Sequence, residues 1–249
     1  MKIIPALAII IFMSSSFSCT DSSAKNSARS KADNGFAVVE LFTSEGCSSC
    51  PPADAAVARL LKKYSNNVYV LGYHVDYWDN LGWKDMFSSA AYTQRQREYG
   101  KFFKLSSIYT PQIVVNGTEQ FIGSDENKLN DAVTKDLQQT STAKLTIDAT
   151  ATDNKTVIVN YTTDVTNAKV KIALIQLVAE NKIKRGENSG ATLHHVNIVR
   201  DLKIVSASAT GNVVLNIPDG LSEKGFRIIA FTQNINDSKI TAAMEVNIQ

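Results

Sequence analysis

The sequence predicts an α/β domain with a helical insertion, followed by an all-β antiparallel sandwich. Three observations carry that expectation. Two apolar runs rich in β-formers, "FAVVELFTS" from Phe36 and "NVYVLGYHV" from Asn67, flank a stretch with helical spacing. From about Thr142 the pattern turns to short alternating runs broken by Asn, Asp, Gly and Pro. The chain has 249 residues, 44% hydrophobic and 20% charged, which is ordinary for a globular protein and leaves room for two such units.

The first nineteen residues stand apart. Lys2 precedes an apolar run from Ile3 to Met13, then "SSSFSC". A short cationic start, an apolar core and small residues before a cut describe an export signal, and the run is too short to span a bilayer. "SFSC" resembles the lipobox of bacterial lipoproteins, although Ser16 and Phe17 replace the usual residues. The expectation is a signal over residues 1–19, with Cys19 acylated after cleavage. This would hold the protein by a lipid anchor on the periplasmic side of a bacterial membrane. Residues 20–34, "TDSSAKNSARSKADN", are polar and aperiodic and read as a tether.

The α/β unit is expected over residues 35–141. Its first strand runs into the motif "GCSSCPPAD", Gly46 to Asp54. Val57, Leu60, Leu61 and Tyr64 then fall at i, i+3, i+4 and i+7, one face of a helix. The strand at Asn67 completes a βαβ unit. An aromatic-rich insertion follows, Asp76 to Phe103, helical in its second half. "TPQIVVNG" and "TEQFIGS" form a hairpin turning at Asn116-Gly117. Ser124 or Asp125 caps a last helix carrying Leu129, Val133 and Leu137. About seven further strands are expected over 142–249.

Net charge is +2 without a long charge run, so neither nucleic acid nor an anionic surface is indicated as partner. Export places the chain where disulfides persist, and once Cys19 has its own explanation Cys47 and Cys50 remain as a pair. Cys47 is expected at the helix N-terminus with Cys50 about one turn on, and a thiol at that end sees unpaired N–H groups and the positive dipole end, which favour thiolate. Pro51 and Pro52 suit the first helical turn and leave Cys47 accessible in this reading. Glu45 acts in the opposite sense, because a nearby carboxylate raises a thiol pKa.

The order of elements, with CxxC opening the first helix and Thr110-Pro111 opening the hairpin, resembles the thioredoxin fold over residues 36–139. The resemblance implies a cis Pro111 beside the cysteines, where its backbone docks a substrate strand. Gly46 departs from it, standing where thioredoxin itself has tryptophan. The stretches "ELFTSEGCSSCPPAD", "HVDYWDNLGWKDMF", "YTQRQREYG", "TPQIVVNG" and "RGENSGATLHHVNIVR" resemble one family of secreted bacterial thioredoxin-like proteins, domain-of-unknown-function family 1223. That resemblance covers nearly all of the mature chain and implies no established reaction.

Three functions remain in competition. The first is thiol–disulfide exchange with protein thiols or disulfides of the cell envelope, Cys47 attacking and Cys50 resolving, with no cofactor. The second is a copper chaperone, in which His74 joins Cys47 and Cys50, since copper(I) favours thiolates. The third is an adaptor with a static bridge. Trp78, Trp83 and Asp76 in the insertion are candidates for the wall of a partner-selecting groove. His194 and His195 are adjacent on a strand, point to opposite faces and do not readily share one metal.

Overall fold

The computed structural model describes residues 35–249 except 154, together with Met1. The expected signal, the acylation of Cys19 and the tether lie outside the described residues. No helix among the described residues is long and apolar enough to cross a membrane.

The chain opens as β1 (Ala37–Thr43), α1 (Pro51–Lys63) and β2 (Val68–His74). Next come α2 (Ala90–Phe102), β3 (Gln112–Val115), β4 (Glu119–Ile122) and α3 (Glu126–Leu137). Seven strands complete it: β5 (Leu145–Ala151), β6 (Thr156–Thr163), β7 (Ala168–Lys182), β8 (Thr192–Ser206), β9 (Thr210–Asn216), β10 (Phe226–Asn234) and β11 (Ile240–Asn247).

The expected arrangement, a thioredoxin-like α/β domain and a separate all-β sandwich, is not what forms. Among the described residues the structure is mostly β, with three α-helices and one large mixed sheet of eight strands in the order β11-β10-β7-β8-β2-β1-β3-β4. Only β5, β6 and β9 make a second sheet. The physical reason lies at β2. Its outer edge carries unpaired backbone groups, and an exposed edge of this kind takes a partner. β8 supplies it in parallel, with Gly72 opposite Ile198 and the Asn197 side chain donating to the Val70 carbonyl at 3.1 Å. β7 and β8 are fifteen residues each, long enough to pair with one another and still reach the first half of the chain.

Side-chain alternation gives the large sheet two covered faces. On one, Val39, Leu41 and Val70 pack under α1 and α3, while Val170, Ile172 and Ile228 pack against the three-stranded sheet. On the other, Phe42, Tyr73, Ile175 and Phe231 pack with Tyr92 and Tyr99 of α2. A buried ion pair lies on this second face, Arg95 donating to both Glu40 oxygens at 2.5 and 2.7 Å. Tyr99 donates to the same carboxylate. The hairpin turns at Asn116 and Gly117, both with positive φ, and Asp125 caps α3 by accepting from the Lys128 amide.

Candidate functional site

β1 and β2 run parallel, so their C-terminal ends open on the same edge of the sheet. The edge of parallel strands where the chain leaves for a helix is a favoured place for sites. There the chain leaves β1 through Ser44–Cys50 and enters α1.

Cys47 and Cys50 form a disulfide with Cα atoms 5.4 Å apart. Two details differ from expectation. The helix begins at Pro51, so Cys50 occupies the N-cap and Cys47 lies in the turn before it. Cys47 is also not the more accessible sulfur, because both cysteines are fully buried while Ser48 and Ser49 are exposed. The Cys47 sulfur has the Ser49 hydroxyl at 3.3 Å.

The loop between β7 and β8 is fastened to the cysteine turn. Asn188 donates to the carbonyls of Glu45 and Cys47 at 2.9 and 3.0 Å. The Ser48 amide donates to Glu187 at 3.1 Å, and the Ser48 side chain first, then this amide, hold the Glu187 carboxyl below its usual range. Gly186 sits at φ +78°, where an added Cβ would come 3.1 Å from that of Trp83. The loop is thus seated on the insertion as well as on the cysteine turn.

Trp78, Trp83 and Asp76, expected as a groove wall, are half-buried fasteners of the insertion. Trp78 donates to Thr110 at 2.9 Å, and its Cβ would lie 3.1 Å from one added at Gly46. The small residue before Cys47 therefore makes room for this tryptophan. Trp83 donates to Glu45 at 2.8 Å, and Asp76 accepts from Thr93 at 2.5 Å. The Thr110-Pro111 bond is cis. Gly123 ties Pro111 to α1, since its added Cβ would meet both Ala53 and Pro111 at 3.1 Å.

Beneath the cysteine turn lies a second cluster. Glu45 is fully buried and accepts from Trp83 and from Asn181 at 3.1 and 3.2 Å. His195 of β8 stands between two carboxylates, with Nε2 3.3 Å from Glu45 and Nδ1 3.4 Å from Asp54 of α1. The Nε2 contact lacks hydrogen-bond alignment. Burial alone would lower the His195 imidazole, but the two carboxylates outweigh it and push it up to about 9. His74 at the end of β2 has Nδ1 2.6 Å from Asp85. Burial alone would raise the Asp85 carboxyl, yet His74 and the amides of Glu45 and Phe87 hold it below its usual range. The two imidazole rings meet edge to face, 4.8 Å apart.

His74 is thus grouped with His195 and Asp54, and the cysteines are joined to each other. Neither Asp54 nor Asp85 carries a sequence signal of its own, and His195 shares its strand with His194. Strand alternation does separate the two histidines: His194 is exposed beside Glu180, and His195 is buried. The turn and the cluster together lie among residues that one family model covers. That model, described as a protein of unknown function (DUF1223), matches residues 38–233. The chain belongs to the DUF1223 family. No curated protein matches this DUF1223 chain. Among solved structures it is similar to a protein from Agrobacterium tumefaciens, with 28% identity and TM-score 0.63. That match covers 84% of this chain and 93% of the other. It is also similar to HBP35 of Porphyromonas gingivalis, with 16% identity, TM-score 0.54 and coverage of 87% and 76%. The second likeness concerns the fold alone.

Proposed function

We propose that this DUF1223 protein is an exported thiol–disulfide exchange protein with Cys47–Cys50 as its reacting pair. The observation that carries this reading is a disulfide closing a short turn at the start of α1, under a loop fastened to that same turn. Export rests on the N-terminal signal pattern and places the pair among envelope proteins with thiols or disulfides of their own.

The chemistry needs no cofactor. A partner thiolate attacks the Cys47 sulfur, an S–S bond forms between partner and Cys47, and Cys50 leaves as a thiolate. A second partner thiolate then attacks the partner's own sulfur in that mixed disulfide and releases Cys47. Two partner thiols are oxidised to a disulfide, and the Cys pair takes up the two electrons. The reverse sequence reduces a partner disulfide. Cys50 suits the leaving role because it caps the helix, where the positive end of the dipole favours negative charge. Because the sulfurs are buried, the partner reaches Cys47 only when residues 185–190 lift.

A second reading, a static bridge, is favoured by that same complete burial. Trapping decides between them. Cys50→Ser should accumulate mixed disulfides with envelope proteins on non-reducing gels, and Cys47→Ser should trap few or none. Equal trapping by both would overturn the assigned roles. No trapping by either, with a stability loss of at most about 3 kcal/mol on removing the bridge, would assign a staple.

A further inference from the structure

We propose that Asp54, His74 and His195 form a three-ligand site for a divalent transition metal, with zinc as the best fit, separate from the cysteine pair. One ligand atom from each of these residues lies within 4.8 Å of the others, and all three side chains are buried. They come from three elements, α1, β2 and β8, which meet at the open edge of the parallel strands.

The donor set is chemically specific. Two imidazoles and one carboxylate suit zinc and its neighbours in the first transition row better than magnesium or calcium, which take oxygen ligands. In a tetrahedron with bonds of about 2.0–2.1 Å, ligand atoms stand roughly 3.3 Å apart. The Asp54 oxygen and His195 Nδ1 already stand at 3.4 Å. The third ligand atom has at most about 1.5 Å to close toward that edge length.

The surroundings are those of ligating histidines. A metal-bound histidine ordinarily gives its other nitrogen to a carboxylate, which fixes the ring and its tautomer. His74 has that partner here: Asp85 holds it at Nδ1, leaving Nε2 for a metal. Glu45 lies 3.3 Å from His195 Nε2 without hydrogen-bond alignment, and the Nδ1 of that ring faces Asp54. Asp54 is oriented in turn by the Thr43 hydroxyl on its second oxygen at 3.0 Å. The His195 Nε2, buried without an aligned partner, marks this as a cluster set up for more than packing. A cleft of about 350 Å³ lined by Pro51, Asp54, Thr192 and His195 borders two of the three ligands and offers an ion a way in. Three protein ligands leave a fourth position for water or another small ligand.

The disulfide-intact protein is dialysed against zinc and then against metal-free buffer, and bound zinc is counted by mass spectrometry. One zinc per chain is expected. His74→Ala and His195→Ala should each weaken binding about 100-fold or more. Asp85→Asn should keep the stoichiometry and weaken affinity roughly 10- to 100-fold. His194→Ala, on the same strand but exposed, should bind as the parent does. Cobalt in place of zinc should give the visible absorption of a four-coordinate site in the unmutated protein, a readout that no folding defect can confuse. Absence of zinc from the parent protein overturns the proposal, as does unchanged binding in both histidine variants. Zinc that binds only after reduction, and is lost in the Cys47→Ser/Cys50→Ser double variant, would assign the metal to the thiols instead. The proposal is independent of the exchange reaction, because that double variant abolishes exchange while leaving this site whole.

Discussion

Gly72 of β2 lies directly opposite Ile198 of β8, in the parallel pairing that joins the N-terminal and C-terminal halves of the large sheet. A Cβ at Gly72 would sit 3.4 Å from the carbonyl oxygens of both Val196 and Asn197. His74 follows on β2 two residues later, and His195 precedes Ile198 on β8 by three. The two imidazole rings meet beside this seam, 4.8 Å apart.

Gly72→Ala should cost less than about 1 kcal/mol, because its methyl group meets those oxygens at ordinary contact distance. Gly72→Val adds two methyls beyond a Cβ already in contact with both oxygens, and overpacking of this kind costs about 1–3 kcal/mol. Urea unfolding of both variants measures the difference. Equal stabilities would mean that the β2–β8 seam is loosely packed.

Glu40 and Arg95 form an ion pair that is almost wholly out of water. Removing one partner leaves a buried charge, which typically costs about 3–5 kcal/mol. Arg95→Met should show a loss of that size, only partly relieved by the Tyr99 hydroxyl that also donates to Glu40. The Glu40→Leu/Arg95→Met double variant should recover most of it. A double variant as unstable as the single one would show that shape, and not charge, governs this spot.

Periodicity placed α1 and β2 well, because Val57, Leu60 and Val70 point into one core and local spacing records that. Asn116-Gly117 announced its turn through residues that tolerate positive φ. The prolines after Cys50 marked the helix start, yet Cys50 rather than Cys47 proved to be the cap. What stayed hidden was pairing between distant segments. An alternating run fixes which residues share a face, but it does not say which edge the strand joins, so β8 looked like one more strand of a separate sandwich. The partnership of His195 with Asp54 and Glu45 depends on that edge, and no local signal announces it.

Lys171 is buried on the face of the sheet that carries Arg95 and Glu40. Burial first, and then the Arg95 charge, bring its ammonium from 10.5 down to about 7, against the opposing pull of Glu40 and Glu98. Lys169 adds a small further push downward. Between pH 7 and 10.5 the unfolded chain therefore holds a proton that the folded chain has lost. Stability from this group rises with pH across that window, and its full penalty applies below pH 7. At ~1.36 kcal/mol per pH unit the penalty is at most about 5 kcal/mol. His195, raised to about 9, works in the opposite direction between pH 6.5 and 9, so the informative quantity is a difference between two proteins. Lys171→Met should be more stable than the parent at pH 7, with the gap closing toward pH 10.5. A gap that stays constant with pH would show that Lys171 is charged in the folded chain throughout.

The last prediction concerns the loop over Cys47. Asn188 holds it down through two hydrogen bonds to backbone carbonyls, and Glu187 through a third from the Ser48 amide. Each Asn188 bond contributes about 1 kcal/mol net, and 1.4 kcal/mol is tenfold in an equilibrium. Loss of the two Asn188 bonds should therefore raise the lifted population about thirtyfold. Because both sulfurs are buried while the loop is down, a small thiol should reduce the bridge only in the lifted form. Asn188→Ala should thus be reduced by dithiothreitol at least about ten times faster than the parent, with little change in the global melting temperature. Glu187→Ala, which loses one exposed bond, should show a smaller acceleration. Stopped-flow or quenched alkylation assays give both rates. If Asn188→Ala is reduced no faster than the parent, the loop is not the barrier over Cys47, and access to the sulfur must come through movement of the cysteine turn itself.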